Sequence, residues 1–148
     1  MNHPADACQR SVLYVPDGHS ERVTIEYLDQ GAGPVIVMLP SLARSGRDYD
    51  EVAQLIISEG FRVIRPDPRG TRGSTGPMDG LSLHDFAADV AAVLDQEKTG
   101  PVLVVGHAWG SQPARMLAAD RPDLVCAVVM AAASASTRRS RSSRPRMG

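Results

Sequence analysis

The chain has 148 residues, of which 43% are hydrophobic and 22% charged, and its formal net charge at pH 7 is −1. This length is enough for one domain with a hydrophobic core. Residues 138–148 contain five arginines and no acid, so residues 1–137 carry 11 basic against 17 acidic groups, a net charge of −6. The longest wholly apolar run, 124–133, is much shorter than the ~20 residues that span a bilayer. The N-terminus also lacks the apolar stretch of a secretory signal. We expect a cytoplasmic protein with an acidic body.

The first half of the chain predicts strands around one helix. Polar and apolar residues alternate over 22–28, as in a half-buried strand, and the continuous apolar run over 35–39 is typical of a strand buried on both faces. Gly and Pro mark a turn between them. A helix is predicted over 48–58, followed by a strand over 61–65. The apolar side of that helix comprises Tyr49, Val52, Ala53 and Ile56.

The second half continues this alternation after a loop over 67–80 that is rich in Gly, Pro, Arg and Ser. Ser82 is predicted to cap a helix over 83–96. Pro113 lacks a backbone donor, so we expect a kink or a loosened first turn in the next helix. Strands that alternate with helices indicate an α/β fold, a mostly parallel sheet with helices on both faces. The remaining predicted elements are a strand over 102–105, a helix over 109–120 and a strand over 124–130.

The two cysteines, Cys8 and Cys126, do not form a framework of spaced pairs, and Cys126 lies within an apolar run. Disulfide-rich domains require such a framework. We therefore predict buried free thiols in a reducing compartment. No Cys/His cluster has the spacing of metal ligands, and the Gly-rich stretch 70–76 lacks the Gly-Lys-Ser/Thr ending of a phosphate loop. We predict neither a metal nor a cofactor.

The sequence Gly106-His107-Ala108-Trp109-Gly110 links the strand over 102–105 to the helix that follows. This strand–turn–helix setting is typical of a nucleophile elbow, a Gly-x-Ser-x-Gly turn. The elbow needs its two glycines because the central residue has a strained backbone and the strand and helix pass very close together. Both glycines are present. Ala108 occupies the nucleophile position, and its methyl group has no atom that can attack a substrate.

From about residue 22 to residue 133 the chain resembles the N-terminal half of an α/β-hydrolase-fold protein. Four motifs in the family order carry the resemblance: residues 35–45, residues 65–74, the helix over 83–94 and the elbow. The resemblance implies an incomplete domain over 1–133, truncated after the sixth family strand. It also implies a hydrolase of a small ester, amide, epoxide or halide. Similar elbows occur with a central Ser in esterases and iminopeptidases, and with a central Asp in epoxide hydrolases and haloalkane dehalogenases.

The resemblance also implies an oxyanion hole. Its donors would be the backbone N–H of Trp109, which follows the nucleophile position, and the N–H of Leu42 in the loop after the strand over 35–39. Ser41, Leu42 and Trp109 would then contact a small-molecule substrate. The family usually begins this loop with His-Gly, whereas this chain has Pro40-Ser41. We interpret His107 as a packing residue beneath the turn.

The family order of catalytic groups is nucleophile, acid, His. After Ala108 the sequence has two acids, Asp120 and Asp123, and no histidine. Both acids are predicted in solvated turns, and His84 is predicted on the surface. Ser111 lies nearly one helical turn beyond the elbow, so its hydroxyl is not expected at the nucleophile position. The sequence therefore predicts no working triad and an inactive chain.

The Arg/Ser-rich segment 134–148 is too poor in apolar residues to fold alone, and we predict a disordered tail. Either it is a basic arm for nucleic acid or an acidic partner, or the gene has lost its frame after the sixth strand. We favour the second explanation and do not expect nucleic-acid binding. The strand over 124–130 is apolar, and an uncovered apolar edge favours self-association, poor solubility or dependence on a partner. Three hypotheses stay open: a hydrolase-lineage enzyme, a catalytically silent binding or interaction module, and a basic-tail nucleic-acid binder.

Overall fold

The computed structural model describes residues 7–41 and 43–132. Over these residues the chain forms a six-stranded sheet in the order β1-β2-β4-β3-β5-β6. The strands are β1 Cys8–Tyr14, β2 Val23–Gly31, β3 Val35–Leu39, β4 Arg62–Pro66, β5 Val102–His107 and β6 Val125–Ala131. The helices are α1 Asp50–Ser58, α2 Leu83–Glu97 and α3 Ser111–Asp120, with short 3-10 turns at Gly46–Tyr49 and Ala108–Gly110.

Four strands confirm the predicted parallel sheet, because β3 pairs in parallel with β4 and β5, and β5 pairs in parallel with β6. The other two are antiparallel: β2 runs against β4, and β1 against β2. Strand β1 was not predicted. Of its side chains only Val12 is buried, so it lacks the apolar alternation by which a strand is recognised. Its position depends on pairing with β2.

Helices cover both faces of the sheet. Alternate residues of β3 point to opposite faces, as strand geometry requires: Val37 belongs to the core under α2 and α3, and Ile36 to the core under α1. Along α1, Ala53 is fully buried and Ile57 packs beside it, but Val52 is 47% exposed. The prediction that Val52 lies on the buried side is wrong. The side of α1 that faces the sheet is the one that carries Ala53 and Ile57, which are four residues apart.

The predicted cap of α2 is confirmed. The Ser82 hydroxyl accepts a hydrogen bond from the Asp85 amide at 3.3 Å, and the Asp85 carboxylate accepts one from the Ser82 amide at 2.9 Å. This reciprocal pair satisfies two donors that the helix itself leaves free. The helix ends at Glu97, one residue beyond the prediction, and Lys98 closes it with a left-handed φ of 50°.

A buried ion pair holds the loop over 67–80 against α2. The Arg69 guanidinium donates to both carboxylate oxygens of Asp89 on α2, at 3.1 and 2.8 Å, and both residues are at least 94% buried. The Tyr14 hydroxyl donates to the same carboxylate. Burial and the neighbouring Asp89 raise the pKa of Tyr14 well above its usual range, so this hydroxyl remains a donor at neutral pH. The network joins the loop, α2 and β1.

A second network lies at the C-terminal end of α2. The Tyr27 hydroxyl donates to Glu97 at 2.5 Å, and Arg62 donates to Glu97 at 2.8 Å and to both oxygens of Asp29. Burial and the bond to Glu97 raise the pKa of Tyr27 to about 12. These contacts fasten the C-terminal end of α2 to β2 and β4.

Cys8 and Cys126 are free thiols, as predicted, but both are exposed rather than buried. The reason is topological, since β1 and β6 are the two edges of the described sheet. On β6, the apolar side chains of Val129 and Met130 are 47% and 52% exposed. The predicted tail, residues 134–148, lies outside the described residues. No helix among the described residues is long and apolar enough to cross a membrane.

Candidate functional site at the elbow

The elbow has the strained backbone that the sequence predicts for its centre. Strand β5 ends at His107, and Ala108 follows with a φ of 49°. A non-glycine residue in this left-handed region costs energy and is held there only by its surroundings. Ala108 begins a 3-10 turn rather than the α-helix predicted from residue 109, and α3 begins at Ser111. Pro113 has no amide to bond the Trp109 carbonyl, which accounts for the altered first turn.

Both elbow glycines are required by close backbone packing, as predicted. A Cβ on Gly106 would lie 2.5 Å from the Gly110 carbonyl oxygen, and a Cβ on Gly110 would lie 2.4 Å from the Leu39 carbonyl oxygen. Real Cβ atoms do not approach backbone oxygens so closely. Gly110 therefore sits directly against the end of β3, and a side chain there would push the turn away from β3. A side chain at Gly106 would instead push the end of β5 away from the turn itself.

Ser111 does not replace the missing nucleophile. It is 1% exposed, and its hydroxyl donates to the Gly106 carbonyl oxygen at 2.9 Å. This bond closes the elbow from below and directs the hydroxyl into the protein. The side chain at the nucleophile position is the Ala108 methyl group.

Trp109 forms one wall of a small cavity beside the elbow. Its ring meets the Phe86 ring edge to face, with centroids 5.0 Å apart and planes at 85°, an arrangement that favours tight packing of aromatic pairs. The cavity has a volume of about 30 Å³ and is also lined by Leu39, Asp67 and Pro113. It is apolar except at Asp67 and Asp89 and holds only a water-sized group. Room for a larger ligand lies in a separate open cleft of about 280 Å³, which is lined by Ser41, Arg44, Asp48, Tyr49 and His107.

The Asp67 carboxylate has a structural role that the sequence pattern did not show. It is 3% exposed, and one oxygen accepts from the Ser45 hydroxyl and from the Gly46 amide, both at 2.9 Å. Asp67 therefore holds the loop after β3 in place. Its position after a buried strand, just before Pro68, was the signal that could have indicated this role.

The loop after β3 contacts the elbow through Tyr49. The Ser41 amide donates to the Tyr49 hydroxyl at 3.1 Å, and that hydroxyl lies 2.8 Å from His107 Nδ1. The Tyr49 and His107 rings meet edge to face at 5.6 Å. We interpret His107 from the sequence as a packing residue beneath the turn; in the structure its ring packs against Tyr49 and its Nδ1 has the Tyr49 hydroxyl as a polar partner. Leu42 lies outside the described residues, so its role as a backbone donor stays a prediction.

The distant acids and His84 are not brought to the elbow. His84 is exposed, and its Nδ1 lies 2.7 Å from a carboxylate oxygen of Asp120. Asp123 pairs with Arg121 at 3.0 Å, which lowers the pKa of Asp123. Asp120 ends α3, and ten residues of helix separate it from the elbow by ~15 Å. Among the described residues no group of three or more His, Cys, Asp or Glu side chains could hold a metal ion.

Comparison with known proteins identifies the lineage of this elbow. Residues 34–144 match the family model of the alpha/beta hydrolase fold. The chain belongs to the α/β-hydrolase family. The match extends beyond residue 133, where the sequence predicts the domain to end.

Several family relatives are similar to this chain over most of its length. An epoxide hydrolase of Caballeronia sordidicola is 32% identical over 109 residues, 72% of this chain and 33% of the relative. A 2-(acetamidomethylene)succinate hydrolase of Mesorhizobium japonicum is 29% identical over 108 residues, 73% of this chain and 38% of the relative. An epoxide hydrolase from an endophytic Streptomyces has a similar structure, with a TM-score of 0.72, 28% identity, and coverage of 84% of this chain and 36% of its own. The chain therefore spans less than two-fifths of these relatives.

Proposed function

We propose that this α/β-hydrolase-family chain binds a small ester, amide, epoxide or halide at the elbow without forming a covalent intermediate with it. The observation that carries the proposal is Ala108, which occupies the strained turn with a φ of 49°. Family enzymes form a bond between substrate and the side chain at this position. A methyl group has neither a lone pair nor an acidic proton for that step.

Binding does not depend on the side chain that is missing. Backbone N–H groups stabilise developing negative charge at an oxyanion hole, and they survive side-chain substitution. The Trp109 amide directly after the strained residue is the donor that this proposal uses. Relatives with epoxide hydrolase and esterase/perhydrolase names are consistent with an uncharged ligand that carries an oxygen acceptor. Of the four proposed classes, the ester, the amide and the epoxide meet this requirement and the halide does not.

The expected loss of chemistry is large. Serine proteases that have lost triad members keep a residual acceleration of roughly 10³–10⁴ over water, which comes from binding and the oxyanion hole. A chain with Ala108 at the elbow is expected at or below that level. Such a rate is far below that of an ordinary enzyme, and it makes ligand binding the measurable property.

Trp109 allows a direct test because it is the one tryptophan of the chain. Its fluorescence should change saturably with at least one of ethyl acetate, N-methylacetamide and styrene oxide. Hydrolysis of p-nitrophenyl acetate and styrene oxide should not exceed that of the Ala108→Gly variant, which also lacks a nucleophile. Turnover above this control contradicts the silent site, and a flat fluorescence titration with all three ligands contradicts binding at the elbow.

We also propose that the chain self-associates through the exposed strand β6. Val129 and Met130 are exposed apolar residues on a strand whose one described neighbour is β5. Edge strands of this kind pair readily with other chains. Sedimentation velocity should show a concentration-dependent increase in mass that Val129→Lys abolishes. Val52→Lys is the matched control, because Val52 is equally exposed, at 47%, but lies on α1. A monomer at all concentrations contradicts this proposal.

A further inference from the structure

The Tyr49 hydroxyl connects two segments that the proposed ligand site needs. It accepts the Ser41 amide proton at 3.1 Å and lies 2.8 Å from His107 Nδ1. Ser41 belongs to the loop after β3, whereas His107 is the last residue of β5 and directly precedes the strained Ala108. One phenol oxygen thus joins both sides of the site.

The hydrogen-bond roles of this cluster follow from the donors available. A backbone amide can only donate, so the Tyr49 oxygen accepts from Ser41. A phenol has one proton, and donation of that proton to His107 gives every polar group in the cluster a partner. His107 Nδ1 is then the acceptor, and a neutral His107 carries its proton on Nε2. The opposite arrangement would leave the phenol proton without an acceptor among these three groups.

The hydrogen bond from Ser41 to Tyr49 also holds the start of the loop after β3 from a second side. Leu39 and Pro40 already lie against Gly110, where a Cβ would meet their carbonyl oxygens at 2.4 and 2.5 Å. The next amide in the chain is the one held by Tyr49. Successive residues of the loop are therefore fixed from two sides: Leu39 and Pro40 pack against Gly110, and the Ser41 amide is bound by the Tyr49 hydroxyl.

We propose that Tyr49 is a positioning residue, which fastens the loop after β3 to the elbow and holds His107 as the Nε2–H tautomer. The effect on ligand affinity rests on the proposed function, but the effect on the free protein does not. Neither assignment requires Tyr49 to touch a ligand. Tyr49 acts through the Ser41 amide and the His107 ring.

Two measurements on the free protein test the positioning role. At about pH 8, where an ordinary imidazole is neutral, the ¹⁵N spectrum of the 148-residue chain should show His107 protonated at Nε2. Tyr49→Phe should mix the tautomers and should accelerate exchange of the Ser41 amide by roughly five- to tenfold, the effect of one lost hydrogen bond. Tyr27→Phe is the control, since it removes a hydroxyl whose partner, Glu97, is the last residue of α2 and does not line the cavity beside the elbow. An Nδ1–H tautomer, or equal Ser41 exchange in the two variants, overturns the proposal.

Ligand titration separates this proposal from the proposed function. With styrene oxide as the probe and Trp109 emission as the signal, Tyr49→Phe should weaken binding by a similar factor, whereas Tyr27→Phe should leave it unchanged. Equal affinity in the wild type and Tyr49→Phe overturns the positioning role. Absence of binding in all three proteins, together with the expected changes in the free protein, overturns the proposed function and supports the Tyr49 contacts.

Discussion

The strained backbone at Ala108 predicts that a glycine there stabilises the protein. Ala108 has a φ of 49°, in a region that costs an L-residue roughly 1–2 kcal/mol. Replacement by glycine removes this strain but adds about 0.4–1 kcal/mol of unfolded-chain entropy. The Ala108 side chain is only partly buried, so little packing is lost. Ala108→Gly should therefore raise the free energy of unfolding by about 1 kcal/mol, equivalent to about 2–4 °C in melting temperature for a domain of this size.

Urea unfolding and thermal melting measure this change, and two matched variants identify its cause. Ala88→Gly removes a partly buried methyl group within α2 and should cost about 1 kcal/mol, because glycine is a poor helix former. Ala43→Gly lies outside the elbow but has a φ of 57°, so it should gain stability as Ala108→Gly does. If Ala108→Gly lowers stability as Ala88→Gly does, the strain argument for the elbow is refuted.

Three further predictions concern the packing that holds the site. Gly110→Ala should cost about 3 kcal/mol or prevent folding, because its Cβ would meet backbone oxygen at 2.4 Å. Gly80→Ala, with a positive φ but open space, should cost about 1 kcal/mol in the same urea titration, and equal losses would contradict the close-packing argument. Arg69→Met should lower the free energy of unfolding by about 3–5 kcal/mol, because it leaves a buried carboxylate unpaired. Arg121→Met removes a half-exposed ion pair and should cost at most about 1 kcal/mol. A similar loss in both variants would show that burial does not matter. The raised pKa of Tyr27 means that its contribution to stability is complete below about pH 10 and is lost as the pH rises towards about 12. Over this pH range the melting temperature should therefore fall less steeply in Tyr27→Phe than in the wild type. Parallel curves for the two proteins would contradict the raised pKa of Tyr27.

The local pattern of the sequence was sufficient for the elbow. Gly106, Ala108 and Gly110 lie within five consecutive residues between a strand and a helix, and the structure places them in the predicted conformations. The Ser82 cap was predictable for the same reason, because its partners are three residues apart. By contrast, β1 has little apolar alternation, and its pairing partner begins nine residues after it ends.

The predicted orientation of several side chains was wrong where it depended on neighbours distant in sequence. Val52 is apolar but exposed, because burial on α1 is decided by which side faces the sheet. Cys126 lies in an apolar run but is exposed, because β6 forms an edge of the described sheet. The sequence shows that a side chain is apolar, but whether that side chain is buried depends on what the fold places beside it.

The sequence by itself determined the α/β architecture, the elbow and the absence of a nucleophile at residue 108, because these features depend on neighbouring residues. Only the tertiary structure decided how the site is held together. Tyr49 and His107 are 58 positions apart, and Arg69 meets Asp89 across a loop and a helix. Such contacts exist because the parallel strands end side by side at one edge of the sheet, and no short-range pattern in the sequence encodes which side chains meet there.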